Sequence, residues 1–576
     1  MRVRDYAALA ALSVAAACGS STTQPMNNNG APCPGSSHKT IVTLAVGGVE
    51  AVTVPANLDC VSLATTDGAA GSFLVVAANA DTKPDVTGTY DLAVAQPATP
   101  AGDMMAAGRV RSAAVATDPS GAFGSIAEGR FRAMERRVLH LDEPSARRAA
   151  SAFMRRASVG VHTESVPNVG DTLTFKVPNA NANNSCTTFT TQRAVVKTVG
   201  VHGIIVQDVT APAGGFTPAA FDSIEAEFDQ IIYPTDTVHF GSPSDIDGNG
   251  HVFLLFTPQV NAATPRGSRG ILAGFFFDGD LFPSTGNNSC AESNEAEIFY
   301  LLTPDPNHQF GDTRSDSSVR QSTRGTIAHE FQHMINAGVR LLSENAPDEA
   351  TWLNEGLSHF AEELVGRAED NFSDTQRLVI GDVADFPSLN NFNAFFGQNM
   401  GRLREFMLNP GALGATSAHA DTSLAVRGAA WSLLRYSADH YAGNNVAAFT
   451  RALVAGPDTG VANLVARTGT SFDSVAAGWL PSLYTSDDGI AGLPTRYTYL
   501  SWDIRSIEAA VNSGTFPLVA STLSAGHTAS GSVSSAAANY YLVGVPASGT
   551  VLLGELTSNG GPVTYAGARL YIVRLQ

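Results

Sequence analysis

The sequence predicts a multidomain α+β protein whose central unit is β-rich in its upper part and helical in its lower part. Small antiparallel β-sandwich domains are expected to flank this unit. The chain has 576 residues, of which 44% are hydrophobic, so it is too long for one core but can fill several. Short β-type runs occupy both ends of the chain, whereas the segment 326–365 has helical periodicity.

The predicted segment boundaries fall where the composition changes along the chain. The segments are a signal peptide at 1–18, a flexible tether at 19–32, a small β-domain at 33–100, an Arg-rich helical linker or pro-segment at 101–158, the central unit at 159–505 and a C-terminal β-sandwich at 506–576.

The extreme N-terminus has the pattern of an export signal. Arg2 and Arg4 precede an apolar run over 6–17, which has the length of a signal h-region and is too short to span a membrane. Residues 14–19 resemble the bacterial lipobox, which predicts cleavage before Cys18 and lipidation of its thiol. We therefore expect the protein in the bacterial cell envelope, lipid-anchored in the periplasm or at the outer surface. The alternative is plain secretion after cleavage at small residues.

Both ends of the remaining chain are rich in β-type runs. The runs 41–44 and 73–76 are separated by Gly, Asn, Asp and Pro turns, and the runs 540–545 and 570–573 repeat this texture. Two similar β-sandwiches are therefore predicted, either as modules that bind substrate or cell wall or as spacers without a ligand.

A basic stretch follows the first β-type region. The segment 104–156 contains ten arginines in a chain whose net charge is −18. It is interpreted as a helical linker, and a pro-segment or a docking helix against the acidic central unit is the alternative.

The central unit begins with predicted strands, which include 172–175 and 195–206. The run 297–302, which precedes the long helical pattern, is interpreted as the edge strand of this sheet. An edge strand can pair with the backbone of another extended chain.

An acidic loop lies between these strands. Asp245, Asp247 and Asn249 are spaced like the first ligands of a calcium loop. The twelfth position of that pattern is Phe256 instead of a bidentate glutamate. The alternative to a Ca²⁺ site is therefore an Asx-rich turn that leads into a strand.

The most specific pattern of the chain is His329-Glu330-Phe331-Gln332-His333. Two histidines four residues apart on a helix have Cβ atoms about 5–6 Å apart, so both imidazoles can bind one metal ion. This spacing is typical of zinc hydrolases, in which the glutamate takes a proton from water rather than binding the metal. The alternative is a surface helix that carries two histidines by chance.

Glu355 is the predicted third ligand. It lies 22 positions after His333, beyond a break at 345–348 and within a second helical pattern. A helix, a short connection and a returning helix can bring such a carboxylate back to the metal. His359 and Glu362 share the face of Glu355, and either could orient a metal ligand from behind; the alternative for both is the ordinary polarity of a helix face. The alternative is His359 as the ligand in place of Glu355.

The segments 329–336 and 352–357 resemble the gluzincin clan of zinc metallopeptidases. Within that clan they look most like the hyicolysin family of secreted bacterial neutral metallopeptidases. The resemblance implies a zincin-like fold for the central unit and a Zn²⁺ ion held by His329, His333 and Glu355. It also implies a polypeptide substrate that aligns along the edge strand.

Two departures from better-known relatives affect what the resemblance implies. His359 stands where thermolysin-like enzymes have an aspartate that holds the first histidine ligand. The aminopeptidase branch has a Gly-Ala-Met-Glu-Asn motif upstream of its zinc helix, and this sequence has none. An endopeptidase is therefore expected rather than an aminopeptidase.

The resemblance also implies a mechanism. Zinc lowers the pKa of its bound water from about 15.7 to about 7, and Glu330 accepts the proton and passes it to the leaving amine. Relatives stabilise the oxyanion with a tyrosine or histidine beyond the third ligand. Tyr436, in the helical pattern 427–436, is the candidate here. The alternative is an aromatic side chain packed into the core.

The cysteines agree with export. Apart from Cys18 there are four, an even number that is compatible with two disulfides and three pairings. Proximity in the sequence favours Cys33 with Cys60, which leaves Cys186 with Cys290.

The net charge of −18 and a pI near 5.1 argue against a nucleic-acid partner. Contact with a membrane is expected only through the lipid anchor, and the chain is expected to be a monomer.

Two functions of different classes remain. The first is an exported zinc-dependent endopeptidase with Glu330 as the general base. The second is a surface binding or adhesion lipoprotein whose peptidase core is inactive. The intact set of His329, Glu330, His333 and Glu355 favours the first.

Overall fold

The computed structural model describes residues 23–25, 39–54, 60–95, 165–179, 188–556 and 563–576, apart from 269, 286–289, 292, 345, 385–387, 421, 513 and 548. The predicted signal peptide with Cys18 and the Arg-rich segment lie outside these residues. Among the described helices, none is long and apolar enough to cross a membrane. The described part is a mixed α+β structure with three sheets.

The strands are β1 Thr23–Pro25, β2 Lys39–Leu44, β3 Val49–Thr53, β4 Cys60–Thr65, β5 Gly71–Asn79, β6 Thr87–Val94, β7 Thr172–Pro178, β8 Phe189–Val199, β9 Gly203–Asp208, β10 Val252–Phe256, β11 Gly274–Phe276, β12 Ile298–Leu301, β13 Ser521–Thr522, β14 His527–Ser534, β15 Ala537–Val545, β16 Val551–Leu556 and β17 Ala568–Arg574.

The helices are α1 Pro218–Glu227, α2 Tyr233–Phe240, α3 Pro258–Ala263, α4 Asp316–Ala337, α5 Thr351–Glu369, α6 Ile380–Val383, α7 Ser388–Asn391, α8 Gly397–Leu408, α9 Leu424–Tyr441, α10 Val446–Val454, α11 Gly460–Thr468, α12 Phe472–Thr485 and α13 Ile504–Val511. Short π-helical turns lie at Phe228–Ile232, Gly338–Ser343 and Phe392–Phe396, and 3₁₀ turns at Asp278–Leu281 and Thr495–Tyr497.

The central sheet has the strand order β11-β12-β10-β9-β8-β7. The three neighbouring strands β12, β10 and β9 are parallel, and β10 is buried along its whole length, as expected for a strand covered on both faces. The prediction that the run 297–302 is the edge strand is wrong. It forms β12, which lies inside the sheet because β11 pairs antiparallel with its outer side. A strand of three residues is too short to show a period in the sequence.

The prediction of two separate β-sandwich domains is also wrong. Strands from both ends of the chain are mixed in the same two sheets, whose orders are β1-β14-β6-β16-β4-β2 and β13-β15-β5-β17-β3. β5, for example, lies between β15 and β17 and is antiparallel to both. The pattern of each run shows that it is a strand, but it does not identify the strand that will pair with it. Residues 23–25 of the predicted tether form β1, which pairs with β14.

This single sandwich shares a core with the helices. In the stretch 73–78 of β5 the odd-numbered residues pack inside the sandwich, and the even-numbered ones pack against the helical unit. Tyr540 on the neighbouring strand β15 donates a hydrogen bond to the backbone oxygen of Leu480 in α12 at 2.8 Å. The sandwich is therefore continuous with the helical unit rather than a separate module.

The helices α4 and α5 confirm the two helical patterns of the sequence. α4 begins earlier than its pattern, where the side chain of Ser315 accepts a hydrogen bond from the backbone N–H of Ser318 and caps the helix. After the π-helical turn and a short connection, α5 returns antiparallel to α4. α9 packs across α5, where Gly356 leaves room for Ala430 and Leu434.

The shared sandwich gives a testable expectation for Tyr90 and Tyr541. Their hydroxyl groups are 2.8 Å apart in the interior and come from the two ends of the chain. In a double-mutant cycle of Tyr90→Phe and Tyr541→Phe, we expect a coupling of about 0.5–1.5 kcal/mol in the free energy of unfolding, measured by chemical denaturation. Two independent domains would instead give additive effects, within about 0.3 kcal/mol.

Candidate metal centre

α4 presents two imidazoles on one face. His329 and His333 are one turn apart, and their Nε2 atoms are 3.2 Å from each other. Both residues are largely buried, with ring centroids 4.8 Å apart. The helical spacing therefore directs two nitrogen donors to one point, as the sequence predicts.

α5 brings Glu355 to the same point. Its Oε2 is 3.5 Å from Nε2 of His329, and its Oε1 is 4.0 Å from Nε2 of His333. In a tetrahedral site with ligands about 2.1 Å from the ion, two ligand atoms are about 3.4 Å apart. The separations of 3.2, 3.5 and 4.0 Å among these donors are close to that value. Two nitrogens and one carboxylate in this arrangement fit a metal ion of the zinc type.

Glu362 holds the first histidine from behind. Its Oε1 is 2.8 Å from Nδ1 of His329 and 2.9 Å from Nδ1 of His359. When Nδ1 of His329 donates to this carboxylate, Nε2 keeps its lone pair for a metal. Glu362, two turns after Glu355, thus contacts the nitrogen of His329 opposite the one that faces Glu355.

His359 is fully buried beside His329, with ring centroids 4.6 Å apart. It offers a ligand atom within 4.8 Å of those of His329 and Glu355, so a direct ligand role stays geometrically open. Its Nδ1 nitrogen, however, contacts Glu362 and is also 3.0 Å from Nη1 of Arg402 in α8. Through these contacts His359 helps to fix the position of the Glu362 carboxylate.

The second histidine has its own support. Nδ1 of His333 is 3.1 Å from Oδ1 of Asn354 and 3.1 Å from the hydroxyl of Ser358. Asn336, one turn further along α4, donates to the same Oδ1 atom at 2.6 Å. Asn354 belongs to the Asn-Glu-Gly segment of the sequence, and its contact with His333 explains why an amide is useful there.

Glu330 faces the edge of the central sheet. Its Oε2 accepts a hydrogen bond of 3.0 Å from the backbone N–H of Phe276 in β11. A backbone donor leaves no trace in the side-chain pattern, so the sequence could not show this contact. The interaction ties the carboxylate of the HExxH segment to the edge strand.

Burial and three charged contacts set the pKa values of Glu355 and His329. Burial alone raises the pKa of Glu355, but the positive charge of Arg427 and the hydrogen bond with His329 outweigh it and lower this pKa. Burial lowers the pKa of His329, whereas its hydrogen bonds with Glu355 and Glu362 raise it to about 9. The metal-free cluster therefore keeps Glu355 ionised and His329 protonated at neutral pH.

Arg427 was not predicted from the sequence. Its Nη1 lies 2.8 Å from Oε2 of Glu355. The helix that carries it was identified only as a source of an oxyanion donor, and no local motif pairs an arginine with a glutamate 72 positions earlier.

Tyr436 lies in the core and not in this cluster. Its hydroxyl donates to the backbone oxygen of Arg496 at 2.7 Å, and its ring packs against His440 and Tyr499. Tyr436 is fully buried, so its assignment as the oxyanion donor is corrected to a packing role. Nine residues separate it from Arg427, which turns it to another side of α9.

A carboxylate from another segment, that of Glu297, lies beside the aspartates of the acidic loop. Asp245, Asp247 and Glu297 offer oxygens within 4.8 Å of one another, whereas the side-chain amide of Asn249 donates to Asp247 at 2.6 Å. Glu297 comes from the residue before β12, and burial raises its pKa to about 7. Calcium binding by Asp245, Asp247 and Asn249 stays a prediction.

The disulfide pairings also stay predictions. Cys290 is buried. Its predicted partner Cys186 lies outside the described residues, as do Cys33 and Cys18. Cys60 lies in β4.

Comparison with known proteins gives a partial likeness. No protein-family model matches the chain. It is 32% identical over 143 residues to a curated protein, the neutral metalloprotease ShpI of Staphylococcus hyicus. The aligned stretch covers 25% of this chain and 30% of that relative, so it spans less than a third of the relative's length. The likeness supports a metallopeptidase family for this part of the chain.

Proposed function

We propose that the protein is an exported zinc-dependent endopeptidase. The observation that carries the proposal is the convergence of His329, His333 and Glu355 on one point, with Glu330 beside them on α4. The partial likeness to a neutral metalloprotease supports the same conclusion. When bound, zinc would supply a Lewis acid that polarises the peptide carbonyl and makes water acidic.

Glu330 is the proposed general base. Its carboxylate takes a proton from the attacking water and delivers it to the nitrogen of the leaving amine. The N–H of Phe276 holds one carboxylate oxygen and so restricts the rotation of the side chain. Glu362 keeps the proton of His329 on Nδ1, which leaves Nε2 as the donor atom.

The substrate is proposed to be an extended polypeptide along β11. Alternate residues of an antiparallel strand direct their backbone groups away from the neighbouring strand. The N–H of Phe276 points away from β12 to Glu330, so the backbone of Gly274, two residues earlier, faces the same way. An added strand would then lie beside the base. A chain that enters along an edge can be cleaved at internal bonds, since neither terminus needs recognition.

Export rests on the N-terminal pattern. Arg2 and Arg4, the apolar run 6–17 and the lipobox-like residues before Cys18 support a lipid-anchored protein of the cell envelope. A monomer with Zn²⁺ as its cofactor completes the proposal.

Replacement of Glu330 tests the proposed chemistry. We expect Glu330→Gln to lower the rate of casein hydrolysis by at least about 100-fold, because the amide cannot accept the proton, while bound zinc stays at the wild-type level. Casein cleavage and zinc content by mass spectrometry measure the two effects. Glu405→Gln, at an exposed position of α8, is the matched control.

A chelator should abolish wild-type cleavage, and added zinc should restore it in the wild type but not in Glu330→Gln. Cleavage by Glu330→Gln at the wild-type rate would refute Glu330 as the base. A wild-type protein that binds no zinc, or that cleaves none of several denatured proteins, would favour the inactive-core alternative.

The raised pKa of His329 predicts proton release when zinc binds. Since this pKa is about 9, the residue is protonated in the metal-free protein near neutral pH, and zinc must displace the proton. We expect release of about one proton per zinc near pH 7, and an apparent affinity that rises about tenfold per pH unit up to about pH 9. Calorimetry in two buffers of different ionisation enthalpy measures this release.

The same shift acts on the stability of the metal-free protein. Because the pKa of about 9 in the folded protein exceeds the ordinary histidine pKa of 6.5, the stabilising contribution of His329 is complete below pH 6.5 and is lost as the pH rises through 9. Glu362→Gln removes one cause of the shift and should reduce the proton release. Binding heats that do not depend on the buffer would contradict the expectation.

A further inference from the structure

Arg427 contacts a proposed metal ligand without being one. Its guanidinium is 3% exposed, and Nη1 lies 2.8 Å from Oε2 of Glu355. Its Nε donates to the backbone oxygen of Ala420 at 2.7 Å. The hydrogen bond of Nε anchors the guanidinium on the backbone, and this places Nη1 as an ion-pair partner beside Oε2 of Glu355.

Two glycines fix the helices that carry this contact. A Cβ on Gly428, the residue after Arg427, would lie 2.2 Å from the carbonyl carbon of Arg402, so the backbones of α8 and α9 are in close contact there. A Cβ on Gly356, the residue after Glu355, would lie 2.8 Å from Leu434 of α9. The main chain at Glu355 and at Arg427 is therefore held in place by close packing between helices.

The charges of the cluster explain why an arginine is needed. Glu330, Glu355 and Glu362 bring three carboxylates into one buried region, and the histidines must be neutral to bind a metal. A buried carboxylate is costly unless a partner compensates its charge. Arg402 lies 3.8 Å from Glu362, and Arg427 provides the corresponding charge beside Glu355.

We propose that Arg427 is a positioning residue of the metal centre, which holds Oε2 of Glu355 so that the carboxylate stays directed at His329 and His333. This inference rests on the proposed function. An arginine in this place has an opposite alternative, in which it competes with the metal for the carboxylate. The two differ in the sign of their effect on metal affinity.

The test is the zinc affinity of the full-length metal-free protein, measured by competition with a chelating dye. We expect Arg427→Gln to weaken zinc binding by about 10- to 100-fold, since loss of a group behind a ligand typically has this effect. Arg427→Lys keeps the charge but cannot hold both Ala420 and Glu355, so it should weaken binding by a smaller factor.

Arg435→Gln is the matched control on the same helix. Arg435 is also buried, but it pairs with Asp439 at 2.8 Å and with Glu363 at 3.4 Å, away from the metal ligands. We expect this variant to lower the unfolding temperature of the metal-free protein and to leave its zinc affinity at the wild-type value. The visible bands of the Co²⁺-substituted protein, which report ligand geometry, should change in Arg427→Gln and not in Arg435→Gln.

Wild-type or tighter zinc binding by folded Arg427→Gln would overturn the proposal, and tighter binding would identify the arginine as a competitor. If that variant does not fold, wild-type affinity of Arg427→Lys would overturn it. A wild-type protein that binds zinc and cleaves casein, combined with unaffected Arg427 variants, refutes only the role of Arg427. A wild-type protein that binds no zinc refutes the proposed function and this role with it.

Discussion

The candidate metal centre depends on the register between α4 and α5. With the two helices antiparallel, His329 lies opposite Glu362 and His333 lies opposite Asn354. Glu355 then reaches both histidines from between these two contacts. A slip of one helical turn, about 5.4 Å, would remove the carboxylate from both Nε2 atoms. The contact from α9 is made to Glu355, whose place this register sets.

The sequence predicts the parts of the site that lie close together along one helix. The spacing of His329 and His333 and the position of Glu330 follow from helical geometry alone. Glu355 could be predicted because a break and a second helix leave few ways for a carboxylate to return. The support of His329 by Glu362 was one of two candidates, since helical periodicity could not distinguish it from His359.

The contacts that escaped prediction join distant segments or use backbone atoms. Arg427 and Glu355 meet because α9 crosses α5, and a crossing angle between helices is set by packing rather than by a local pattern. The N–H of Phe276 belongs to a strand of three residues with no recognisable period. The hydroxyl of Tyr436 suits an oxyanion donor by residue type, but the face of α9 on which the residue lies turns it into the core.

In the fold, too, the local elements could be predicted from the sequence and the long-range pairings could not. The β-type runs at both ends of the chain are strands, but their mixing in shared sheets depends on pairing between residues more than 400 positions apart. β5 is buried on both faces, and a strand that is covered on both faces needs a packing layer against each of them. One face belongs to the sandwich and the other to the helices that carry the metal centre.

Because strands from both ends of the chain share sheets, these sheets cannot close until the last strands have been synthesised. β5 is made early, yet both of its neighbours, β15 and β17, belong to the last forty residues of the chain. Until those residues leave the ribosome, β5 has no partner on either side, and the helices that pack on its outer face lack their support. The long-range pairing makes closure a slow and late step of folding. The two edges of β5 therefore stay open to wrong strand pairing until β15 and β17 have been made.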